Sequence, residues 1–193
     1  MKLPVVQYGH PVLRQKGARI EKITPEIEQL IKDMFDTMYE AKGVGLAAQQ
    51  VGKALQLTVI DVREITDRPS TLELDGQSAD PVSIMPLVLI NPTWKAVNDP
   101  VAGPEGCLSF PEIYADIPRP ETIDVTATNE KGEKISFRAG GLLSRAVQHE
   151  YDHLHGILFI DRMDKSELKK LKPELDGLAY STRNALNKAR RRG

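Results

Sequence analysis

The sequence predicts an α+β fold, with antiparallel β-sheets packed around a central helix and a further helix at the C-terminus. Three observations predict it. Strand-like segments are short, and two of them, 121–128 and 133–139, alternate apolar and polar residues on either side of Glu130-Lys131-Gly132, the pattern of a hairpin. Helical periodicity is confined to three well-separated stretches, near 25–41, 142–154 and 164–193. Strands and helices do not alternate regularly, which argues against a doubly wound parallel sheet.

The chain has 193 residues, of which 40% are hydrophobic and 27% charged, enough for one globular domain over 1–193 with a sizeable core. Pro4, Gln7, Tyr8, Gly9 and His10 interrupt any apolar core near the N-terminus, so that stretch does not read as a secretory signal. No apolar run approaches the ~20 residues of a membrane span. The single cysteine, Cys107, has no internal disulfide partner. A cytoplasmic protein with no membrane association is expected. Net charge is -1, so no global field points to nucleic acid. The charge is uneven, however: residues 164–193 hold nine Lys/Arg against four Asp/Glu.

Taken in order, residues 1–23 read as an irregular arm punctuated by Gly9, Pro11 and Gly17. Thr24-Pro25-Glu26 is a helix start, with a hydroxyl N-cap, proline at the first helical position and acids in the first turn. Ile27, Leu30, Ile31, Met34, Met38 and Ala41 continue it as an amphipathic helix, and Gly43 is placed to end it as the C′ residue. Residues 43–52 carry three glycines and two alanines, which permit close backbone approach. By spacing alone, tight packing and ligand contact both explain that stretch.

Residues 55–62 are a β-branched strand candidate, and 63–81 read as an exposed polar loop. A short buried strand, 87–90, is closed by Asn91-Pro92; 97–103 reads as loop, and so does the segment carrying Cys107. After the hairpin, Gly140-Gly141 breaks the chain before a helix over 142–154 that Gly156 ends. Residues 157–160 suggest a short strand. A basic helix then starts at Asp164, with interruptions expected near Pro173 and Gly177.

The chemistry concentrates on the helix over 142–154. It contains His149-Glu150-Tyr151-Asp152-His153, a His-Glu-x-x-His pattern. Four residues apart on a helix, His149 and His153 share a face one turn apart. They can hold one metal ion, and Glu150 is close enough to reach a water on it. A helix whose histidines merely hydrogen-bond is the bland alternative. A catalytic metal takes three protein ligands and leaves one position open. Cys107, preceded by glycine, is a candidate third ligand for a soft or borderline ion, although a free cysteine is more often a small buried hydrophobe. Asp161 or Glu167 would fill that role in a zinc protease.

Three segments together carry a family resemblance: Gly43-Val44-Gly45-Leu46-Ala47-Ala48-Gln49-Gln50, Glu105-Gly106-Cys107-Leu108-Ser109 and Gln148-His149-Glu150-Tyr151-Asp152-His153-Leu154-His155-Gly156. In order and separation they match the signature motifs of the peptide deformylases. Pro11-Val12-Leu13-Arg14, Leu89-Ile90-Asn91-Pro92, Pro118-Arg119 and Leu158-Phe159-Ile160-Asp161-Arg162 agree as well. The chain resembles that family over nearly its whole length, apart from 63–81, which looks longer than in compact members.

The resemblance implies a hydrolase that removes the formyl group from the N-terminal formylmethionine of nascent peptides and releases formate. It implies one divalent metal, Fe(II) with Zn, Ni or Co as replacements, held by Cys107, His149 and His153. Water on the metal is then the nucleophile and Glu150 the general base and acid. The Gln50 side-chain amide and the Leu108 backbone N–H are the implied oxyanion donors. Gly45 is expected to bind the substrate main chain. Val44, Gly103, Leu142, Arg145, Ala146 and the His149 ring are expected around the methionine side chain.

Glu105 and Arg119 are expected to pair and hold the Cys107 segment. Tyr114 stands near the path of the downstream peptide, and His155 is expected to be exposed rather than a ligand. The basic C-terminal helix suggests ribosomal RNA as a partner, with a plain solvated face as the alternative. Two rival functions stay open from the sequence: a zinc endopeptidase of the His-Glu-x-x-His type, and a non-catalytic protein with a structural metal.

Overall fold

The computed structural model describes residues 1–192; Gly193, the last residue of the expected basic helix, lies outside the described residues. Helix α1 spans Pro25–Glu40, and Thr24 Oγ1 accepts from the Ile27 N–H at 3.3 Å as its N-cap. The helix ends in a Schellman motif. Lys42, not Gly43, takes the left-handed conformation (φ 55°), and the Gly43 N–H returns to the Met38 carbonyl. Gly43 is therefore one residue beyond its expected C′ place.

Strands β1 (Gly45–Ala47) and β2 (Leu57–Ile60) follow, then β3 (Ser70–Leu74), β4 (Gln77–Ala79) and β5 (Leu87–Ala96). Next come β6 (Pro100–Cys107), β7 (Phe110–Pro120), β8 (Thr122–Thr128) and β9 (Lys134–Gly140). Helix α2 (Gly141–Leu154) and helix α3 (Lys165–Arg190) complete the chain. The fold is α+β, as expected. Seven strands form one antiparallel sheet in the order β1-β2-β5-β8-β9-β3-β4, and β6 pairs β7 as a separate ribbon.

Strand β2 and the start of β5, Leu87 to Ile90, are buried on both faces, in keeping with their largely apolar sequence. Leu57, Val59, Val88 and Ile90 pack with Met34 and Met38 of α1. Ile60, Leu87 and Leu89 face the other way, with Leu142, Leu143, Ala146 and Val147 of α2. Helix α2 is thus gripped by the sheet along one side. A third cluster joins Phe110, Ile113 and Ile117 of β7 to Leu158 and Phe159, which follow α2, and to Leu175 of α3.

Several sequence expectations need correction. Segment 63–81 is not a plain loop: it holds the β3–β4 hairpin, which extends the sheet beyond β9 and buries Leu72. Strand β5 does not stop at Asn91-Pro92. Asn91 adopts φ 50° at a register shift, its side chain bonds Ile20 at both N–H and C=O, and pairing resumes to Ala96. Residues 100–107 form a strand rather than a loop, so Cys107 stands at a strand end. Residues 157–160 give a 3-10 turn, Phe159–Asp161. Helix α3 runs unbroken through Pro173 and Gly177. It is pinned where Gly9 (φ 102°) crosses it: a Cβ on Gly9 would lie 2.8 Å from the Ala179 backbone.

Candidate metal centre and active site

Two elements converge on the site. Helix α2 supplies His149 and His153, whose rings stand 5.0 Å apart, one turn separated. The end of β6 supplies Cys107, whose Sγ lies 3.3 Å from His153 Nε2. One ligand atom from each of the three lies within 4.8 Å of the others. Asp161 and Glu167, the acidic alternatives, are exposed and occupied elsewhere, with Arg14 and Lys170 respectively.

The imidazole orientations are set from behind. His149 Nδ1 sits 2.8 Å from Glu105 Oε1, which leaves Nε2 facing the cluster. Glu105 is itself held by the Arg119 fork at 2.6 and 2.9 Å and by Arg145 at 3.0 Å. Arg119 also bonds Asp152 of α2, which in turn binds Arg162. The expected Glu105–Arg119 pair is present, but as part of a buried chain of charges that ends on His149. Burial would raise the Glu105 pKa, yet hydrogen bonds from His149 and Arg119 hold it down at about 2. The carboxylate is therefore an anion directly behind the His149 imidazole.

The donor set suits a soft or borderline divalent cation: one sulfur, two imidazoles and two carboxylates close by. Burial, and then the positive neighbours His149 and Arg119, keep His153 well below its ordinary pKa, so it presents the neutral imidazole that binds metal. For His149, burial acts downward but hydrogen bonds to Cys107 and Glu105 outweigh it and raise the pKa well above its usual value. The thiol–imidazole–carboxylate row thus favours positive charge at its centre. A metal cation is that charge when bound.

Glu150 is buried, and its Oε2 has no hydrogen-bond partner among the described residues. Burial raises its pKa to about 7. Gly45 makes room for this carboxylate, since a Cβ there would lie 2.5 Å from Glu150 Oε1. Gln50 is locked by the Ala47 N–H donating to its Oε1 at 2.9 Å, while its Nε2 donates to Ser109 Oγ at 3.2 Å and points to Cys107 Sγ at 3.5 Å. The glycine-rich stretch therefore brings both an amide donor and bare backbone to the cluster.

A cavity of about 650 Å³ opens here. Val44, Gly45, Gln50, Cys107, Leu108, Leu142, Arg145, Ala146, His149 and Glu150, all singled out from the sequence, line it. Gly103 does not. It lies behind Arg145, where a Cβ would come 2.7 Å from Nη2. Arg145 is no free cation: it donates to the Ile117, Val101 and Gly103 carbonyls as well as to Glu105. Tyr114 is 71% exposed, lines the same cavity and lays its ring over Gly106. His155 is half-buried rather than exposed; its Nδ1 bonds the Tyr151 carbonyl, and it stands outside the group of three. Sequence reasoning missed the Glu105–His149 contact, Asp152 and Arg162. The one available signal was Asp152 itself, a charge on a helix otherwise buried.

The family model described as polypeptide deformylase matches residues 2–169. A peptide deformylase of Opitutus terrae is 44% identical over 187 residues, covering 96% of this chain and 97% of its own. The crystal structure of a peptide deformylase from Synechococcus elongatus in complex with actinonin is similar at TM-score 0.74 and 41% identity, covering 89% of this chain and 85% of that one. The enzyme from Thermus thermophilus matches at TM-score 0.78 and 36% identity, covering 94% and 99%.

Proposed function

The chain belongs to the peptide deformylase family, and from that premise we propose how its residues carry the reaction. The enzyme removes the formyl group from N-formylmethionyl peptides, releasing formate. The observation that supports our assignment of roles is the cluster of Cys107, His149 and His153 beside a buried, unpartnered Glu150.

Cys107, His149 and His153 would hold one divalent ion. Such an ion supplies Lewis acidity, which lowers the pKa of a nearby water and polarises the formyl oxygen. Glu150 takes the proton of the attacking water and passes it to the leaving amine as the carbon–nitrogen bond breaks. Gln50 Nε2 and the Leu108 N–H are the donors to the oxygen that becomes negative on attack, and Ser109 with Ala47 keeps the Gln50 amide from turning away. Gly45 offers its backbone to the peptide main chain. Val44, Leu142 and Ala146 surround the methionine side chain, with Arg145 closing the far wall and Gly103 giving Arg145 its space. Glu105 fixes the His149 tautomer.

We take Fe(II) as the native ion on the family resemblance alone, since a thiolate with two imidazoles accepts Fe(II), Zn, Ni or Co. The whole chain, 1–193, acts as one catalytic domain. No helix is long and apolar enough to cross a membrane. Action on nascent chains supports a cytoplasmic location. The basic end of α3, with Lys188 and Arg190 in its last turn, supports contact with ribosomal RNA.

Metal analysis of anaerobically purified protein, paired with formate release from formyl-Met-Ala-Ser, tests this reading. Stoichiometric iron and oxygen-sensitive formate release are expected. Metal-loaded protein that releases no formate would refute it. Removal of residues 188–193 should weaken salt-sensitive ribosome binding and spare activity on the free peptide.

A further inference from the structure

Helix α2 begins with no side-chain cap of its own, because Gly140 stands at the N-cap position. A helix start leaves four backbone N–H groups without intrahelical partners. Three of them are satisfied by other segments. The Gly141 N–H donates to the Glu121 carbonyl at 3.1 Å, the Leu142 N–H to the Pro69 carbonyl at 3.0 Å, and the Leu143 N–H to Ser70 Oγ at 3.0 Å. Two of the three acceptors come from residues 69–70, at the entry to the β3–β4 hairpin. Ser70 is therefore an N-cap supplied from 73 residues away.

The approach is tight and built. A Cβ on Gly140 would lie 2.1 Å from Thr71 Oγ1, and one on Gly141 (φ 65°) would lie 2.2 Å from the Pro69 carbonyl oxygen. The preceding residue, Arg68, reaches the opposite wall: its Nη2 donates to the Pro104 carbonyl of β6 at 3.1 Å. Arg68 and Pro104 both line the active-site cavity, as do Leu142 and Ala146. Three consecutive residues thus tie the first turn of α2, which carries Leu142 of the proposed methionine pocket, to Pro104 of β6 on the other side of the same cavity.

We propose that residues 68–70 form a positioning bridge that sets the width of this cleft, and through it the enzyme's discrimination among first-residue side chains. Ser70 and Pro69 fix the α2 wall, and Arg68 fixes the β6 wall. Neither Arg68 nor Ser70 is a metal ligand or proton carrier, so loosening the bridge acts on substrate fit before chemistry. The inference rests on the deformylase reading above.

The test is steady-state kinetics of the metal-loaded full chain on formyl-Met-Ala-Ser and formyl-Leu-Ala-Ser, for Arg68→Ala, Ser70→Ala and Ser70→Thr. Arg68→Ala and Ser70→Ala should each lower the preference for Met over Leu by about fivefold, mainly through KM, with kcat nearly unchanged. Ser70→Thr keeps a hydroxyl cap and should retain the preference. Should Ser70→Ala fail to fold, Arg68→Ala, at a half-buried position outside the helix, decides alone. Unchanged preference in the folded alanine variants, even with a lowered Tm, would reduce the segment to an ordinary structural cap and overturn the inference. No formate release by the unsubstituted enzyme would refute the deformylase reading and this proposal together. Release with unaltered preference in the variants would refute this one only.

Discussion

Helix α2 and the β6–β7 ribbon meet at the metal centre, but they are held there by different forces. Helix α2 is anchored by apolar packing: Leu142, Leu143, Ala146 and Val147 face the sheet core. Within the ribbon, β7 is anchored in the same way through Phe110, Ile113 and Ile117, but β6, the strand that carries Cys107, has little such face. Of the eight residues of β6 only Glu105 is buried, and that residue is charged. What ties β6 to helix α2 is the polar chain from Arg162 through Asp152, Arg119 and Glu105 to His149, with Arg145 alongside, while Cys107 also rests on the apolar cluster of β7. One wall of the site is thus placed by hydrophobic burial, which tolerates small adjustment. The other is placed by buried ion pairs, in which each partner's removal strands the rest.

Breaking the ligand set itself should erase the difference between the walls. Cys107→Ser from the ribbon and His153→Ala from the helix should both lose stoichiometric metal, measured by elemental analysis. Both should lower formate release by at least about 10³-fold. A zinc endopeptidase with an acidic third ligand would keep its metal in the Cys107→Ser variant. Glu150→Ala sharpens the point from within the helix: metal should be retained while kcat falls about 10²- to 10⁴-fold.

Attacking what holds each wall separates them. Glu105→Gln keeps the volume but removes the charge facing Arg119 and Arg145 and weakens the partner of His149. Metal affinity should fall about 10- to 100-fold, read by chelator competition, with a stability loss of about 3 kcal/mol. Leu143→Ala empties core space under α2. It should cost about 2–5 kcal/mol in denaturant unfolding, yet leave metal affinity of the folded fraction nearly unchanged. Equal effects of the two substitutions on metal affinity would break the comparison.

The same contrast explains what the sequence made legible. Helix α2 repeats its apolar residues at helical spacing, ends at Gly156 and carries both imidazoles and Glu150 within five residues. Every signal is local, and element and chemistry are read together. Strand β6 runs Pro-Val-Ala-Gly-Pro-Glu-Gly-Cys, with two prolines and two glycines, and lacks alternation. It is a strand only because β7 pairs it in register from Pro100↔Pro120 to Gly106↔Tyr114, a partner no local pattern announces. The β3–β4 hairpin escapes for a related reason. Its residues are polar, Leu72 is its single buried side chain, and its structural task is performed by the Pro69 carbonyl and the Ser70 hydroxyl on a helix 70 residues downstream. The contact between Glu105 and His149 likewise joins two motifs that were each visible, in an arrangement set by the ion network.

The smallest expected effect lies where the two walls touch without sharing a metal ligand. Gly103 of β6 is occupied from the helix side by the Arg145 guanidinium, and its φ is not in the left-handed region, so alanine fits the backbone. The added methyl must displace Nη2 from 2.7 Å to ordinary contact, at the expense of the Gly103 and Val101 carbonyl bonds. The Ile117 carbonyl and Glu105 hold Nη1 from the other side, so the head group has one direction left, towards the cavity. Gly103→Ala should therefore cost only about 1 kcal/mol in stability but raise KM for formyl-Met-Ala-Ser a fewfold, with kcat and metal content unchanged. An unaltered KM would mean that the guanidinium yields outward, and that the ribbon wall at this point adjusts as freely as the apolar wall of α2.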